Sequence, residues 1–446
     1  AKVFMGGIMK KMILAVMLAS IGTAVFATGT AETTGSSAKP VTLEWWTWDP
    51  TMKDQNMQII AKYQAEHPNV KINNTIIDTH EYWTKLRIQA QQRKLPDVFT
   101  MSSGYLEEWA ENGLMYNLDP LIKRDGTDKK FYKSMMDATK AISKSDHVYA
   151  LPFALVTAVL YYNKDMFDAA GVKYPTEDWS RDDFLAAAKK LTIDKNNDGA
   201  VDQWGFWFYG RYAQIESWVY ANGGNLLNAQ KNKFAPDANA IDALNFLYRL
   251  VAVEKVAPRQ KDMSAFRNQD IFPQGKCAMW IDGSWYVDNH RKTLGNSVKW
   301  GISRVPFGPA GKAKRVTYGW PDAYCMSPNT QNVDEAWKFM QYVAGEGIDL
   351  SQYMAGKIPS NIALSKGIVD PAQQPGKEME LLNKEAGEPL KTSYTKGWNE
   401  WRGYRANEAM GFNGYIDSAL NGERTMDQAI TAATKDINVV LSRYYK

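Results

Sequence analysis

Three apolar runs separated by two amphipathic stretches constrain this chain more than any other feature. Val41–Trp48 (Val-Thr-Leu-Glu-Trp-Trp-Thr-Trp) is rich in β-branched and aromatic residues and closes at Asp49-Pro50, the composition of a strand stopped by turn residues. Lys53–His67 carries Met57, Ile60, Ala61 and Tyr63 close to helical spacing, and Pro68 ends it. Val70–Ile77 reads as a second strand. Glu81–Gln92 sets Trp83, Leu86 and Ala90 on one helical face, and Pro96-Asp97-Val98-Phe99 opens a third strand. Strands joined through helices must run parallel, because each crossover returns the chain to the same end of the sheet. The expected class is α/β.

At 446 residues the chain exceeds one ordinary core, so two large lobes or a multidomain arrangement is expected. His147–Pro152 and the apolar run Phe153–Tyr162, closed by Asn163-Lys164, predict a strand crossing into a second lobe. Further strands are expected at Ser297–Val305 and Val316–Met326, with Gly308-Pro309-Ala310-Gly311 as a return crossing. Ser180 with Asp183, Asn332 with Glu335 and Thr425 with Gln428 have the spacing of helix caps.

Gly275–Val287 holds a short apolar run, Cys277–Ile281, then Asp282-Gly283, a pair suited to a tight turn. Ser284 and Trp285 follow where a helix would begin. Taken alone, Trp285 either faces a cleft at the strand's end or plugs the core.

Lys10-Lys11, the apolar run Met12–Phe26 and Val25-Phe26-Ala27 form a secretory signal peptide with cleavage after Ala27. A transmembrane anchor is the alternative, but the run is short. Thr28–Lys39 is a Thr/Ser/Gly/Ala tether. No Cys lies near the cleavage region to carry a lipid, so a mature protein outside the inner membrane is expected, periplasmic or otherwise extracytoplasmic. The net charge of +4 is modest, and Lys and Arg are scattered, which speaks against nucleic acid. Cys277 and Cys325 each sit in an apolar run, so two buried thiols are favoured over a disulfide.

The loop Asp194–Asp202 offers Asp194, Asn196 and Asp198 with Gly199, the first half of a calcium loop. Its twelfth place is Gly205 rather than Glu, leaving Asp202 or a distant carboxylate to close the shell. An Asx-rich turn explains the same letters. No other cofactor is called for. Phosphate-cradling Gly loops, Gly-x-Ser-x-Gly and Cys-x-x-Cys motifs are absent. Carboxylates are plentiful, so a glycoside hydrolase stays open from spacing alone. The chain carries 16 Trp and 23 Tyr, rings that serve either as core or as flat surfaces for sugars.

Several segments in order carry a family resemblance: Trp46-Thr47-Trp48-Asp49, Pro96-Asp97-Val98, Leu151-Pro152-Phe153 leading to Tyr161-Tyr162-Asn163-Lys164, and Ala221-Asn222-Gly223-Gly224. They continue with Gly275-Lys276-Cys277-Ala278-Met279, Gly283-Ser284-Trp285 and Ser327-Pro328-Asn329. Across Val41–Lys446 the chain resembles the extracellular solute-binding proteins of ABC importers, in the carbohydrate group that includes maltose-binding protein.

That resemblance implies a two-lobe periplasmic-binding-protein fold with a ligand cleft between the lobes and several hinge crossings. It divides the chain into a signal peptide (1–27), a tether (28–40), the first part of lobe 1 (41–150), the first part of lobe 2 (151–310), a lobe 1 return (311–366) and C-terminal helices of lobe 2 (367–446). Positions matching the family's ligand contacts are Trp46, Trp48, Asp49, Ser102, Ser103, Trp218, Trp285, Trp320, Asp322, Lys357, Trp401 and Arg405. The chain departs from the maltose binder at Val156, where that protein is acidic, and between Met101 and Tyr105. The implied partners are a carbohydrate and the transmembrane subunits of an ABC permease, with the protein a monomer and not an enzyme. A charged solute such as glycerol phosphate or a polyamine is the alternative ligand. The mixed charges of Asp49, Asp322, Lys357 and Arg405 favour a neutral, hydroxyl-rich one.

Overall fold

The computed structural model describes residues 39–312, 315–349, 356–403 and 410–445; the expected signal peptide, nearly all of the expected tether and Arg405 lie outside them. Ten strands are formed among the described residues. In chain order they are β1 (Val41–Thr47), β2 (Val70–Ile76), β3 (Val98–Ser102), β4 (Ala150–Asn163), β5 (Trp204–Trp207), β6 (Cys277–Gly283), β7 (Trp300–Ser303), β8 (Thr317–Met326), β9 (Ile358–Pro359) and β10 (Leu390–Lys391). None of the described helices is long and apolar enough to cross a membrane.

β1 pairs in parallel with both β2 and β3, with the helices Lys53–Glu66 and Thr79–Gln91 as crossovers, as the period of the apolar residues requires. Trp45 on β1 is fully buried and meets Phe339 of the helix Val333–Val343 edge-on at 5.2 Å, which seals one face of this sheet. β8 then joins β3 antiparallel, Ser102 opposite Asp322.

β4 is the strand that ties the molecule together. Its first half, Ala150 to Thr157, pairs with β8. Its second half, from Ala158 onward, pairs with β6 and β7. Every one of its fourteen residues is buried, which explains a sequence of continuous apolar character rather than alternation. β5 extends the second group by pairing in parallel with β6, and β10 runs beside the start of β8.

Three local expectations meet corrections. Asp282-Gly283 is no turn: β6 runs through both, with Asp282 opposite Val159 and Gly283 opposite Ala158. Glycine is required there because Trp285 folds back over it, and a Cβ on Gly283 would lie 1.9 Å from the Trp285 ring. The strand expected at Ser297–Val305 is confined to Trp300–Ser303. Asn332 precedes its helix without a side-chain cap, at φ −121° and ψ 53°, outside the extended region from which a cap bonds back. Ser180 and Thr425, at ψ 169° and 160°, form complete capping boxes with Asp183 and Gln428. Cys277 and Cys325 are free, buried thiols on β6 and β8.

Candidate functional site

Strand-end loops, β8 and the helices Thr79–Gln91, Tyr212–Ala221 and Trp398–Arg402 bring a row of aromatic rings together. Trp48, just beyond β1, lies 5.4 Å from Trp83, and Trp83 is 4.0 Å from Tyr105. Tyr105 meets Trp398 at 6.1 Å, Trp398 meets Tyr394 at 4.7 Å, and Tyr394 meets Trp320 on β8 at 5.4 Å. Trp320 then contacts Tyr212 at 5.8 Å and Trp285 at 6.1 Å. Rings contributed from the β1–β3 side thus connect without a break to rings following β5 and β6; Trp48 and Trp285 at the ends are half-buried, and the other six rings are buried. Gly104 permits one of the joints: a Cβ there would sit 1.8 Å from Trp398 Nε1. Beside this joint lies a cavity of about 250 Å³ bordered by Trp83, Arg87, Tyr105, Glu108 and Asn399.

Charge flanks the row in matched pairs. Lys357 Nζ is 3.4 Å from Asp322 Oδ2. Burial raises the Asp322 pKa above the ordinary carboxylate value and the nearby charge of Asp49 adds to this, while Lys357 opposes it. Arg211 Nε stands 3.5 Å from Asp282 Oδ1, with the guanidinium 5.5 Å from the Trp285 ring centre. Burial raises the Asp282 pKa too, against Arg211; Gln214 Nε2 and the Gly283 amide donate to its oxygens at 3.0 and 2.7 Å. Arg402 and Glu216 complete the set at 2.7 Å. These three pairs set one cation against one carboxylate each, and Asp49 adds a further carboxylate near Asp322.

Of the sequence-predicted residues, Trp48, Trp285 and Trp320 lie in the row, with Asp322 and Lys357 beside it. Trp46 is half-buried, and its carbonyl accepts from Thr100 Oγ1 at 3.0 Å. Ser102 is half-buried at the end of β3, while Ser103 is buried and its hydroxyl donates to the Pro321 carbonyl. Trp218 is 1% exposed and packs on Phe184 at 5.1 Å and Phe246 at 5.4 Å, apart from the row and inside the core. Trp401 is likewise 1% exposed, facing Phe234 at 6.0 Å. Arg405 lies outside the described residues.

Sequence reasoning passed over Arg211, Tyr212, Tyr394, Trp398, Trp83 and Tyr105. Arg211-Tyr212 follows β5 as Trp285 follows β6, so the strand-end rule could have found that pair.

In the Asp194–Asp202 loop the side-chain oxygens are turned onto the loop's own amides. Asp194 Oδ2 accepts from Gly199 N at 2.8 Å, Asp198 Oδ1 from Ala200 N at 2.8 Å and Asp202 Oδ2 from Lys195 N at 2.8 Å. Asn196 Nδ2 donates to Asp198 Oδ2 at 3.0 Å. Among the described residues no group of three or more His, Cys, Asp and Glu side chains is placed to hold a metal ion.

With this geometry in place, the comparisons with known proteins agree among themselves. The pattern of the bacterial extracellular solute-binding protein family matches residues 49–349. A maltotriose-binding protein from Pyrococcus abyssi is 26% identical over 306 residues, 67% of this chain and 61% of its own length. A multiple sugar-binding protein from Streptococcus mutans is 22% identical over 318 residues, 69% of this chain and 72% of its own. Among solved structures, an ABC substrate-binding protein from Listeria monocytogenes in complex with cycloalternan superposes with a TM-score of 0.73 at 23% identity, covering 91% of this chain and 100% of that one. At that identity the likeness is one of fold.

Proposed function

The chain belongs to the bacterial extracellular solute-binding protein family, a family of binding proteins rather than enzymes, and we propose that it captures a neutral oligosaccharide along the aromatic row and delivers it to an ABC permease. One observation carries the reading: Trp48 and Trp285, half-buried, stand at the two ends of a line of buried rings that holds them in place, with three cation–carboxylate pairs alongside. Sugar rings present an apolar face that stacks on aromatic side chains and a rim of hydroxyls that needs fixed polar partners. Asp322, Lys357 and Ser102 supply such partners beside the row. A phosphate ester would need cations without matching carboxylates, and a polyamine the reverse.

The sugars named for similar proteins, maltotriose and cycloalternan, are the first ligands to test. Closure follows if the ligand touches both groups of strands, because only a differential affinity for the closed form shifts the population. The family is extracellular, and cleavage after Ala27 with release as a monomer completes the proposal. Titration calorimetry with maltotriose and cycloalternan tests it. Saturable one-to-one binding without release of reducing ends is the expected result. Release of reducing ends means a hydrolase, and binding of glycerol phosphate with no response to either sugar means another solute class.

A further inference from the structure

A second cavity, of about 570 Å³, lies two rings away from the row. Its wall residue Tyr220 stacks on Tyr318 at 5.6 Å, and Tyr318 touches Trp320 edge-on at 5.8 Å. The volume falls within the range of small-molecule sites, roughly 300–1,000 Å³. The helix Lys133–Ser143 contributes Ala138, Ala141 and Ile142, and Leu227 and Leu390 close the apolar side. None of the residues assigned to the sugar lines it.

The polar side is cationic and unpaired. Lys231 and Lys391 both face the cavity. The Lys231 ammonium has neither a hydrogen bond nor an ion pair among the described residues, although the residue is only half-exposed. Burial, with the charges of Lys144 and Lys391, lowers its pKa, and Glu107 opposes this only partly, being itself paired with Lys144 at 3.0 Å. Lys391 Nζ reaches a neutral amide oxygen, Asn225 Oδ1, at 3.5 Å. The cavity's carboxylate, Asp237, is committed elsewhere: one oxygen accepts from Ala240 N at 2.8 Å and the other from Asn225 Nδ2 at 2.9 Å. Two lysines against one engaged carboxylate leave a net positive site.

We propose that this cavity is a second ligand site, for a small amphipathic carboxylate whose apolar chain lies on Ala138, Ile142 and Leu227 and whose head sits between Lys231 and Lys391. A neutral sugar suits it less well, because two cations border it and only one ring, Tyr220, is there to stack on. An anion there would gain charge-assisted hydrogen bonds, about twice as strong as neutral ones, and would relieve the repulsion between the lysines.

Octanoate titrated into the full chain is the test, read by calorimetry and by melting temperature. Saturable one-to-one binding is expected, with 1-octanol at least about tenfold weaker for want of the charge. The double variant Lys231→Gln/Lys391→Gln should lose about tenfold or more in octanoate affinity with no change for the sugar. Ala141→Phe should block octanoate by filling the cavity; if that variant does not fold, the glutamine variant decides. Octanoate that competes with the sugar, that fails to saturate, or that binds the glutamine variant as well as the wild type overturns the proposal.

Discussion

Arg402 and Glu216 form an ion pair in which neither side chain reaches solvent, with Arg402 Nε 2.7 Å from Glu216 Oε1. Arg402 Nη2 also donates to Ser393 Oγ at 2.6 Å. The same guanidinium lies 4.7 Å from the Tyr394 ring, 5.0 Å from Trp398 and 5.3 Å from Tyr212, so three rings of the row rest on one buried cation. Arg402→Met strands the Glu216 charge and should cost about 3–5 kcal/mol of stability. Arg402→Met/Glu216→Leu should regain most of that in urea unfolding, yet bind sugar more weakly because the rings have lost their common support. Wild-type affinity in the double variant would show that the pair plays no part in ordering the row.

Trp285 and Trp218 separate binding from packing. Trp285 is half-buried and borders the row, so Trp285→Ala should weaken sugar binding by at least about 2 kcal/mol, roughly thirtyfold, with a small change in melting temperature. Trp218 is packed among Phe184, Phe206 and Phe246, so Trp218→Ala should cost about 3–5 kcal/mol of stability and leave the folded fraction's affinity alone. Calorimetry and thermal unfolding on both variants check this; a reversed pattern would assign the two tryptophans the opposite way.

What was legible in the sequence is a matter of range. β1 to β3 could be read because their period and their turn residues are local. Its own stretch leaves Trp285 open between cleft and core, and only the ordered family motifs around it favour the cleft; it is half-buried. Trp218 sits in the helix Tyr212–Ala221, whose residues from Tyr212 to Tyr220 are all buried, so no polar face marked which side meets the core. Its fate was decided by Phe246, distant in sequence. Tyr394 and Trp398 follow β10, a strand of two residues with no periodic signal. Asp282-Gly283 misled for a related reason: the pair favours a turn locally, but five pairings with β4 override that preference. Arg402 could not have been foreseen beside Glu216, since a buried ion pair leaves no pattern in either neighbourhood.

Lys357 opposes the effect of burial on Asp322. Removing the ammonium takes away the largest influence that opposes burial, so in Lys357→Met the Asp322 pKa rises further and its carboxylate protonates at higher pH. A protonated carboxyl accepts fewer hydrogen bonds from sugar hydroxyls. Affinity in the variant should therefore fall as pH is lowered, more steeply than in the wild type. Parallel pH profiles for the two proteins, measured by calorimetry, would rule out an acceptor role for Asp322.

Glu385 should make the fold more stable in mild acid than in mild base. It is 5% exposed, and burial raises its pKa to about 7 from an ordinary 4.5, with Arg304 opposing from 3.7 Å. Below 4.5 the group is protonated in both folded and unfolded chains, and its contribution is fully present. Between 4.5 and about 7 the folded state holds a proton that the unfolded chain has released, so stability falls as pH rises through this window. The loss amounts to about 3 kcal/mol by pH 8. Burial raises Asp282, Glu216 and Asp322 in the same direction, so their contributions share this sign. Glu385→Gln keeps the shape and leaves Arg304 its bond to Glu388 at 2.6 Å. The variant should flatten the profile between pH 5 and pH 8 and gain on the wild type at the upper end, as read by urea unfolding at each pH. A wild-type stability that climbs steadily from pH 5 to pH 8, unchanged by the substitution, would show that Glu385 is ionised throughout and held by Arg304.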